Sequence, residues 1–514
     1  MGNKKTSNRQ QQGLYYSKPI NFFLCSNFPH VDALVNDILG ELIAHIQSNH
    51  QIKRVHRDKI KESLSIVILN LYSVFTTNPK KYLSYPRGNN NFSRDNSRYK
   101  NQDIGYETFI KRVVNGLKEL DYIEDHTGFY EKDFNYGMNS RMRASSKLSE
   151  LFTEHKLAPI MIERDTSEEV IILKDCSIDE HYQKNKFIVE YEDTETTHQM
   201  RENLQMINHL LTTQFIDLHI TDKEQDELDK ELRRKDKESL DFTRVRLKRI
   251  FNNNSFEEGG RFYHGWWQGI PKKYREFITI SDKKTDEVDY SSIHPRILYA
   301  REGVDIADKD PYTIQGYEDR RNVIKIAFNI ILNAETKEKA INAISKGDKL
   351  NISKKTALDI YQQLEVQHPL IKKYFGSGEG VRLQYIDSQI AERVMVNLAR
   401  DNIVALPVHD SFIVRKSHRL DLQIEMNNVF KELIGIPPKQ DTKLPKHKIK
   451  REIAEADKLY GDRGLRYYDD EGNLEGVIVS GADINPHELF KLDDEYSYHQ
   501  KRLGEWYEHK GHIW

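Results

Sequence analysis

Two aspartates, an arginine and a lysine are the residues of this chain whose types and settings suit a chemical step. In DEVDYSSIHPRILYA, residues 286–300, Val288 leads into Asp289, small residues follow, and Ile293, Pro295, Ile297 and Leu298 resume the hydrophobic pattern. That reads as a strand ending in a carboxylate, with Arg296 seven residues on, a pairing that suits a divalent cation and a phosphorylated substrate. Taken alone, Asp289 is as well explained as a surface aspartate before a helix, because Asp, Ser and Pro open helices. A second stretch changes this. Two β-rich runs, 403–408 and 412–414, are broken only by His409, Asp410 and Ser411, and they read as a hairpin with the aspartate at its turn. A strand and a hairpin can bring Asp289 and Asp410 together. Two carboxylates at one place repel unless cations lie between them, and in-line displacement at phosphorus on two metal ions needs that arrangement.

Between them lies RRNVIKIAFNIILNA, residues 320–334, without Gly or Pro. It reads as a helix on which Arg321, Lys325, Asn329 and Asn333 recur every fourth residue and share one face. Arg and Lys one turn apart on an otherwise apolar helix can hold a triphosphate. The plainer alternative is the solvated basic side of an amphipathic helix.

In this order the three stretches resemble motifs A, B and C of the family A DNA polymerases and their relatives, the phage-type single-subunit RNA polymerases. DYSSIHPR stands where the DNA enzymes have DYSxIExR, the helix where they have RxxxKxxxFxxxY, and VHDSF where they have VHDE or, in the RNA enzymes, HDSF. Gly260, Arg261 and Phe262 resemble the TGR element whose arginine touches the primer-template. The resemblance implies that Asp289 and Asp410 bind two Mg²⁺ ions, with Mn²⁺ as a substitute and the backbone carbonyl of Tyr290 as a further ligand. It implies that Arg321 and Lys325 bind the triphosphate, that His409 approaches the primer end, and that Gln384 contacts template or primer. Arg261, with Arg296, is the expected nucleic-acid contact of the palm. Two departures concern the sugar. The Glu of motif A and the Tyr of motif B that exclude a 2′-hydroxyl are replaced by His294 and Asn333. The stacking aromatic of motif B falls on Asn329, with Phe328 one place earlier, so the choice between dNTP and NTP is open.

The elements that must position these residues come from a chain of 514 residues, too long for one ordinary core. A 38% hydrophobic and 31% charged composition is that of a globular, soluble chain, and a net charge of −2 leaves any affinity for nucleic acid to a local patch. Two distant cysteines, Cys25 and Cys176, exclude a disulfide scaffold or a cysteine zinc site and fit a reducing cytoplasm. No signal peptide and no membrane span are expected.

A polar, Gln-rich tail, 1–20, is expected to be disordered. Residues 21–165 read as a winged-helix-like domain: a helix over 58–75, a polar loop over 87–100, a helix over 106–120, and a short hairpin around His126, Thr127 and Gly128. Lys111, Arg112 and Lys118 of the second helix would face a DNA groove, with Arg141, Arg143 and Lys147 nearby. A helical protein-interaction domain is the alternative. Residues 166–258 read as a small two-stranded sheet followed by a charged helical thumb, and 259–450 as palm and short fingers, with Trp266 and Trp267 in the palm core and Arg261 as its contact residue. The extension 451–514 carries His487, His499, His509 and His512, which lack zinc-site pairing and read as surface residues.

The reading is an α+β right-hand polymerase of palm, short fingers and helical thumb, with an N-terminal winged-helix-like domain. It would transfer nucleotides from dNTPs to a DNA primer 3′-hydroxyl, without a proofreading exonuclease, for a plasmid, phage or mobile element. The rivals are an RNA polymerase or primase, a template-independent nucleotidyltransferase as in phage defence, and a DNA-binding initiator with an inactive palm.

Overall fold

Period-two alternation builds the sheet that carries both aspartates. From Lys283 to Tyr290 one face buries Asp286, Val288 and Tyr290, and the other holds Glu287 and Asp289. A computed structural model describes residues 17–50, 56–93, 95, 97–131, 136–178, 184–235, 237, 239–306, 309–347, 350, 352–441, 465–468, 474–478 and 496–509. The chain is mixed α and β and divides into two units. One comprises 1–169, 220–244 and 494–514, the other 170–219 and 245–493. Among the described residues no helix is long and apolar enough to cross a membrane.

In the first unit the expected helices form as Arg57–Thr77 and as Glu107–Val114 running into Asn115–Glu119, and both pack with Pro29–His50 on one core. The segment 107–114 is π-helical: the Asn115 N–H reaches the carbonyl of Ile110, five residues back. Phe109, Val113 and Leu117 are nonetheless fully buried, as their spacing required. The hairpin differs from expectation. Ile123–His126 pairs with Ser140–Ala144, not with its immediate successor, and Phe129–Glu131 pairs with Tyr136–Met138. Strand Leu83–Tyr85 pairs with the other edge of Ser140–Ala144, so the latter is central in its sheet. Helix Asp222–Arg234, read from sequence as part of the thumb, belongs to this first unit. His499 and His509, read as surface residues, are buried at 0% and 3% exposure on helix Ser497–His509, whose His509 ring packs on Phe28 and His30. The alternation of apolar and charged residues in that stretch is too weak to announce a docked helix. His487, His512 and most of the extension, like the tail to residue 16, lie outside the described residues.

The second unit begins with β1 (Ile171–Ile178), β2 (Lys184–Ile188), α1 (Glu195–Thr212) and β3 (Ile216–Leu218). Then follow β4 (Lys248–Asn252), β5 (Ser255–Tyr263), α2 (Lys272–Arg275), β6 (Ile278–Ile280) and β7 (Lys283–Tyr290). After α3 (Ile293–Arg301) come α4 (Arg321–Asn333), α5 (Lys337–Lys346), α6 (Lys354–Gln367) and α7 (Gly380–Arg400). The hairpin β8 (Leu406–Val408) and β9 (Ser411–Arg415), helix α8 (Arg419–Ile434) and β10 (Gln440–Asp441) follow, and then a separate pair of strands, β11 (Leu465–Tyr468) and β12 (Leu474–Ile478). The expected two-stranded sheet is one half of a four-stranded one, in the order β2, β1, β4, β5. The GRF element therefore lies on a strand of that sheet and not in a loop. The second sheet runs β3, β6, β7, β9, β8, with β10 added to β7, and all its pairings are antiparallel.

The first sheet carries a bulge where Arg261 pairs with Ile250 but Gly259 pairs with Phe251, which leaves Gly260 out of register. Gly260 has φ +74°, and a Cβ there would meet the Phe251 ring at 2.7 Å and Ser388 Oγ of α7 at 2.8 Å. Only glycine combines that backbone with that approach. Gly260→Ala is expected to cost about 2 kcal/mol of stability, read as a lower midpoint in urea unfolding, whereas an unchanged midpoint would show that the bulge relaxes.

Candidate active site

Strand register brings the two aspartates side by side. Asp289 lies opposite Ser411 on β9, one residue past Asp410, and the Tyr290 N–H donates to the Asp410 carbonyl at 3.3 Å. The β8–β9 turn is tight because Val408 pairs directly with Ser411, and His409 adopts φ +60° to close it. Ser292, which precedes α3, is also left-handed at φ 57°. Non-glycine residues in this region are strained, and here two of them flank the paired carboxylates.

The electrostatics are those of an uncompensated pair. Oδ1 of Asp289 is buried with no hydrogen-bond partner. Burial, and then the charge of Asp410, push the Asp289 carboxyl up to about 8, against the opposing pull of Lys325. Glu287, on the same face, adds to the repulsion, but its own carboxylate receives Arg275 at 2.7 Å and the Ser411 hydroxyl at 2.6 Å. Lys272 of α2 is a second cation acting on Asp289, and only the basic character of its loop hinted at it in the sequence. Lys325 and Lys272 are exposed and form no ion pair among the described residues.

These residues fit a cation. A desolvated, unpartnered carboxylate oxygen beside a second carboxylate gains most from a positive ion. Among the described residues no group of three or more His, Cys, Asp or Glu side chains is arranged to hold a metal. A magnesium ion here would thus rest on Asp289, Asp410 and oxygens from backbone, water and substrate, the usual manner for that ion. The Tyr290 side chain is committed elsewhere: it is buried, donates to the Met426 carbonyl at 2.7 Å and packs on Phe430.

Helix α4 is placed by its apolar side. Phe328 is fully buried against Tyr312, His368 and Phe375, so it is a core residue and no platform for a base. On the opposite side Lys325 is open. Arg321, in contrast, is already engaged: its guanidinium bonds Asp310 at 2.5 and 3.2 Å and lies 5.3 Å from the Tyr312 ring centre. Any phosphate that met Arg321 would have to displace Asp310. Asp310→Asn is expected to tighten nucleoside triphosphate binding about 3-fold, because a surface ion pair of this kind is worth up to about 1 kcal/mol. Weaker binding by calorimetry would show that Asp310 positions Arg321 instead of competing for it. Asn333 Nδ2 donates to the Asn329 carbonyl at 2.8 Å. Both asparagines line an open cavity of about 440 Å³ with Ile326, Ile330, Ala334 and Lys339, which neither aspartate borders.

Most of the residues expected from sequence to contact nucleic acid already have partners of their own. Arg296 is 3% exposed, with Asp305 3.8 Å from its guanidinium, and is packed into the protein because the first turn of α3 faces the core. Arg261 is not free: its Nε donates to Asp387 Oδ1 at 3.1 Å and its Nη2 to Oδ2. Asp387 of α7 was not singled out in the sequence, although it lies three residues after Gln384. His294 Nε2 meets the same Oδ2 at 2.9 Å. Gln384 is half-buried and makes no hydrogen bond among the described residues. In the first unit, Lys111 and Lys118 are exposed but lie 3.0 Å from Glu107 and 3.6 Å from Asp125, and the Arg112 Nε is buried without a partner. Arg141 is buried, and Arg143 and Lys147 pair with Glu124 and Glu41. The basic face is thus largely neutralised by its own carboxylates.

No known family model and no curated protein sequence matches this chain.

Proposed function

We propose that the second unit is the catalytic palm and fingers of a template-directed nucleic-acid polymerase that extends a DNA primer-template with nucleoside triphosphates. The observation that carries this reading is Asp289 on β7 beside Asp410 in the β8–β9 turn, with an orphaned, desolvated oxygen and an open Lys325 acting on it. In the reaction the primer 3′-oxygen bonds to the α-phosphorus, the bond to the β-phosphate oxygen breaks, pyrophosphate leaves, and the hydroxyl proton passes to solvent. Two Mg²⁺ ions held by the aspartates and the Tyr290 carbonyl would supply positive charge at the attacking and leaving oxygens. Lys325, and Arg321 once released from Asp310, neutralise the triphosphate. His409, held at the turn beside Asp410, faces the primer end. In this reading the β3–β10 sheet is a palm and α4 belongs to short fingers.

In the same proposal the first unit, whose central strand Ser140–Ala144 joins Leu83–Tyr85 and Ile123–His126, is a winged-helix-like DNA-binding domain, in which Lys111 and Lys118 would exchange Glu107 and Asp125 for phosphates. A second reading, an RNA polymerase or primase, is favoured by His294 and Asn333 at the sugar positions of the motifs. The test is extension of a labelled primer on a DNA template with Mg²⁺, offering dNTPs and NTPs separately, beside Asp410→Ala. No extension with either substrate would favour a DNA-binding protein with an inactive palm.

A further inference from the structure

Glu287 precedes the DYSSIHPR stretch and shares a face of β7 with Asp289, two residues on. Across the ladder Ser411 stands opposite Asp289, yet its hydroxyl donates to Glu287 at 2.6 Å, nearer than its other acceptor, the Val408 carbonyl at 3.1 Å. The charged acceptor takes the proton. Arg275, the last residue of α2, gives Nη1 to the same oxygen, Oε1, at 2.7 Å. Oε2 makes no hydrogen bond among the described residues, and the Glu287 side chain keeps 24% of its surface exposed.

Holding the fold does not account for this arrangement. Strands β7 and β9 already pair from Thr285 to Asp289, so the sheet needs no further clasp there. Arg275 gives Glu287 one hydrogen bond while its own Nε is buried without a partner, and an unmet buried donor takes back much of what the ion pair contributes. What the arrangement does accomplish is electrostatic. It fixes a third negative charge on the face that carries Asp289, where it adds to the repulsion of the pair. The Arg275 charge offsets part of this and reaches the His409 ring as well. A divalent cation gains from every negative charge within reach, so the group that costs the empty site stability adds to its affinity for a cation.

We propose that Glu287 is a third acid of the site: fastened by Ser411 and partly offset by Arg275, it sets through space how tightly Asp289 and Asp410 hold a divalent cation. This rests on reading the Asp289 and Asp410 pair as a cation site. The test is binding of Mn²⁺ to the full chain, without nucleotide or nucleic acid, read from the electron paramagnetic resonance signal of the free ion. Wild type is expected to bind a Mn²⁺ that is lost in Asp289→Asn. Glu287→Gln, which keeps an acceptor for Ser411 and removes the charge, should weaken that binding about 10-fold. Arg275→Met should strengthen it about 3-fold, a gain that misfolding does not produce. Ser411→Ala, which alters no charge, should change it by less than about 2-fold. The Glu287→Gln deficit should narrow as salt rises from about 0.05 M to about 1 M, because a charge acting through space is screened and a lost contact is not. An unchanged affinity in Glu287→Gln, a weaker one in Arg275→Met, or a loss in Ser411→Ala as large as in Glu287→Gln overturns the proposal and leaves the cation site standing. No binding by wild type, or Mn²⁺ retained in Asp289→Asn, overturns the cation site and this proposal together.

Discussion

Asp410→Ala is expected to lower primer extension by about 1000-fold or more while leaving the fold at least as stable as wild type. Placing charge against the developing phosphoryl transition state is worth several kcal/mol, and each 1.36 kcal/mol is a factor of ten in rate. The stability half of the expectation follows from the same geometry. Asp410 raises the free energy of ionised Asp289, whose Oδ1 is buried without a partner. Deleting one of two like charges relieves that repulsion, and the Val408 to Ser411 pairing that closes the turn does not depend on the side chain. The variant should therefore unfold at an equal or higher temperature with unchanged circular dichroism. Full activity would remove the two-carboxylate centre from the mechanism. Lost activity accompanied by lost structure would make Asp410 a folding residue.

The second large effect is on stability as a function of pH. Burial and the Asp410 charge raise the folded-state Asp289 carboxyl to about 8, whereas an unfolded aspartate titrates near 4. Between these values the folded chain holds a proton that the unfolded chain has released. Stability therefore falls as pH rises through about 4 to 8, the opposite of an ion-paired carboxylate. The ceiling on this contribution is about 5 kcal/mol, lessened by any water that reaches the site. Thermal unfolding in a metal chelator should show a midpoint that declines from pH 5 to pH 8. Mg²⁺ or Mn²⁺, which takes the place of the proton, should restore the midpoint at pH 8 and have little effect at pH 5. Asp229 and Glu505 are raised by burial as well, so Asp289→Asn isolates the site: it should flatten the profile and abolish the metal response. A metal response that survives in Asp289→Asn would place the cation elsewhere.

What could be read without coordinates was what depends on near neighbours. The strand ending in Asp289 and the hairpin turning at Asp410 follow from period-two alternation and from a break of three residues between β-rich runs. Helix Arg321–Asn333 follows from a stretch without Gly or Pro in which Arg321, Lys325, Asn329 and Asn333 recur every fourth residue on one face. Tryptophans 266 and 267 are core residues, as their setting suggested, with the Trp267 Nε1 donating to the Pro407 carbonyl at 3.1 Å.

What escaped the sequence was decided by partners far away along the chain. Asp387 looks like any acid on an amphipathic helix until β5 and α3 bring Arg261 and His294 to it, from 126 and 93 residues away. Arg321 and Lys325 have equal claims on a phosphate by spacing, and Asp310 alone separates them. Arg296 reads as a contact residue from its place seven residues after Asp289, yet the direction in which α3 packs buries it. The sequence by itself determined the local elements and that two aspartates stand at their ends, because alternation and turn chemistry are set within a few residues. Only the tertiary structure decided which charges are already spent on each other and which remain open, because ion pairing depends on distance in space and not on order along the chain.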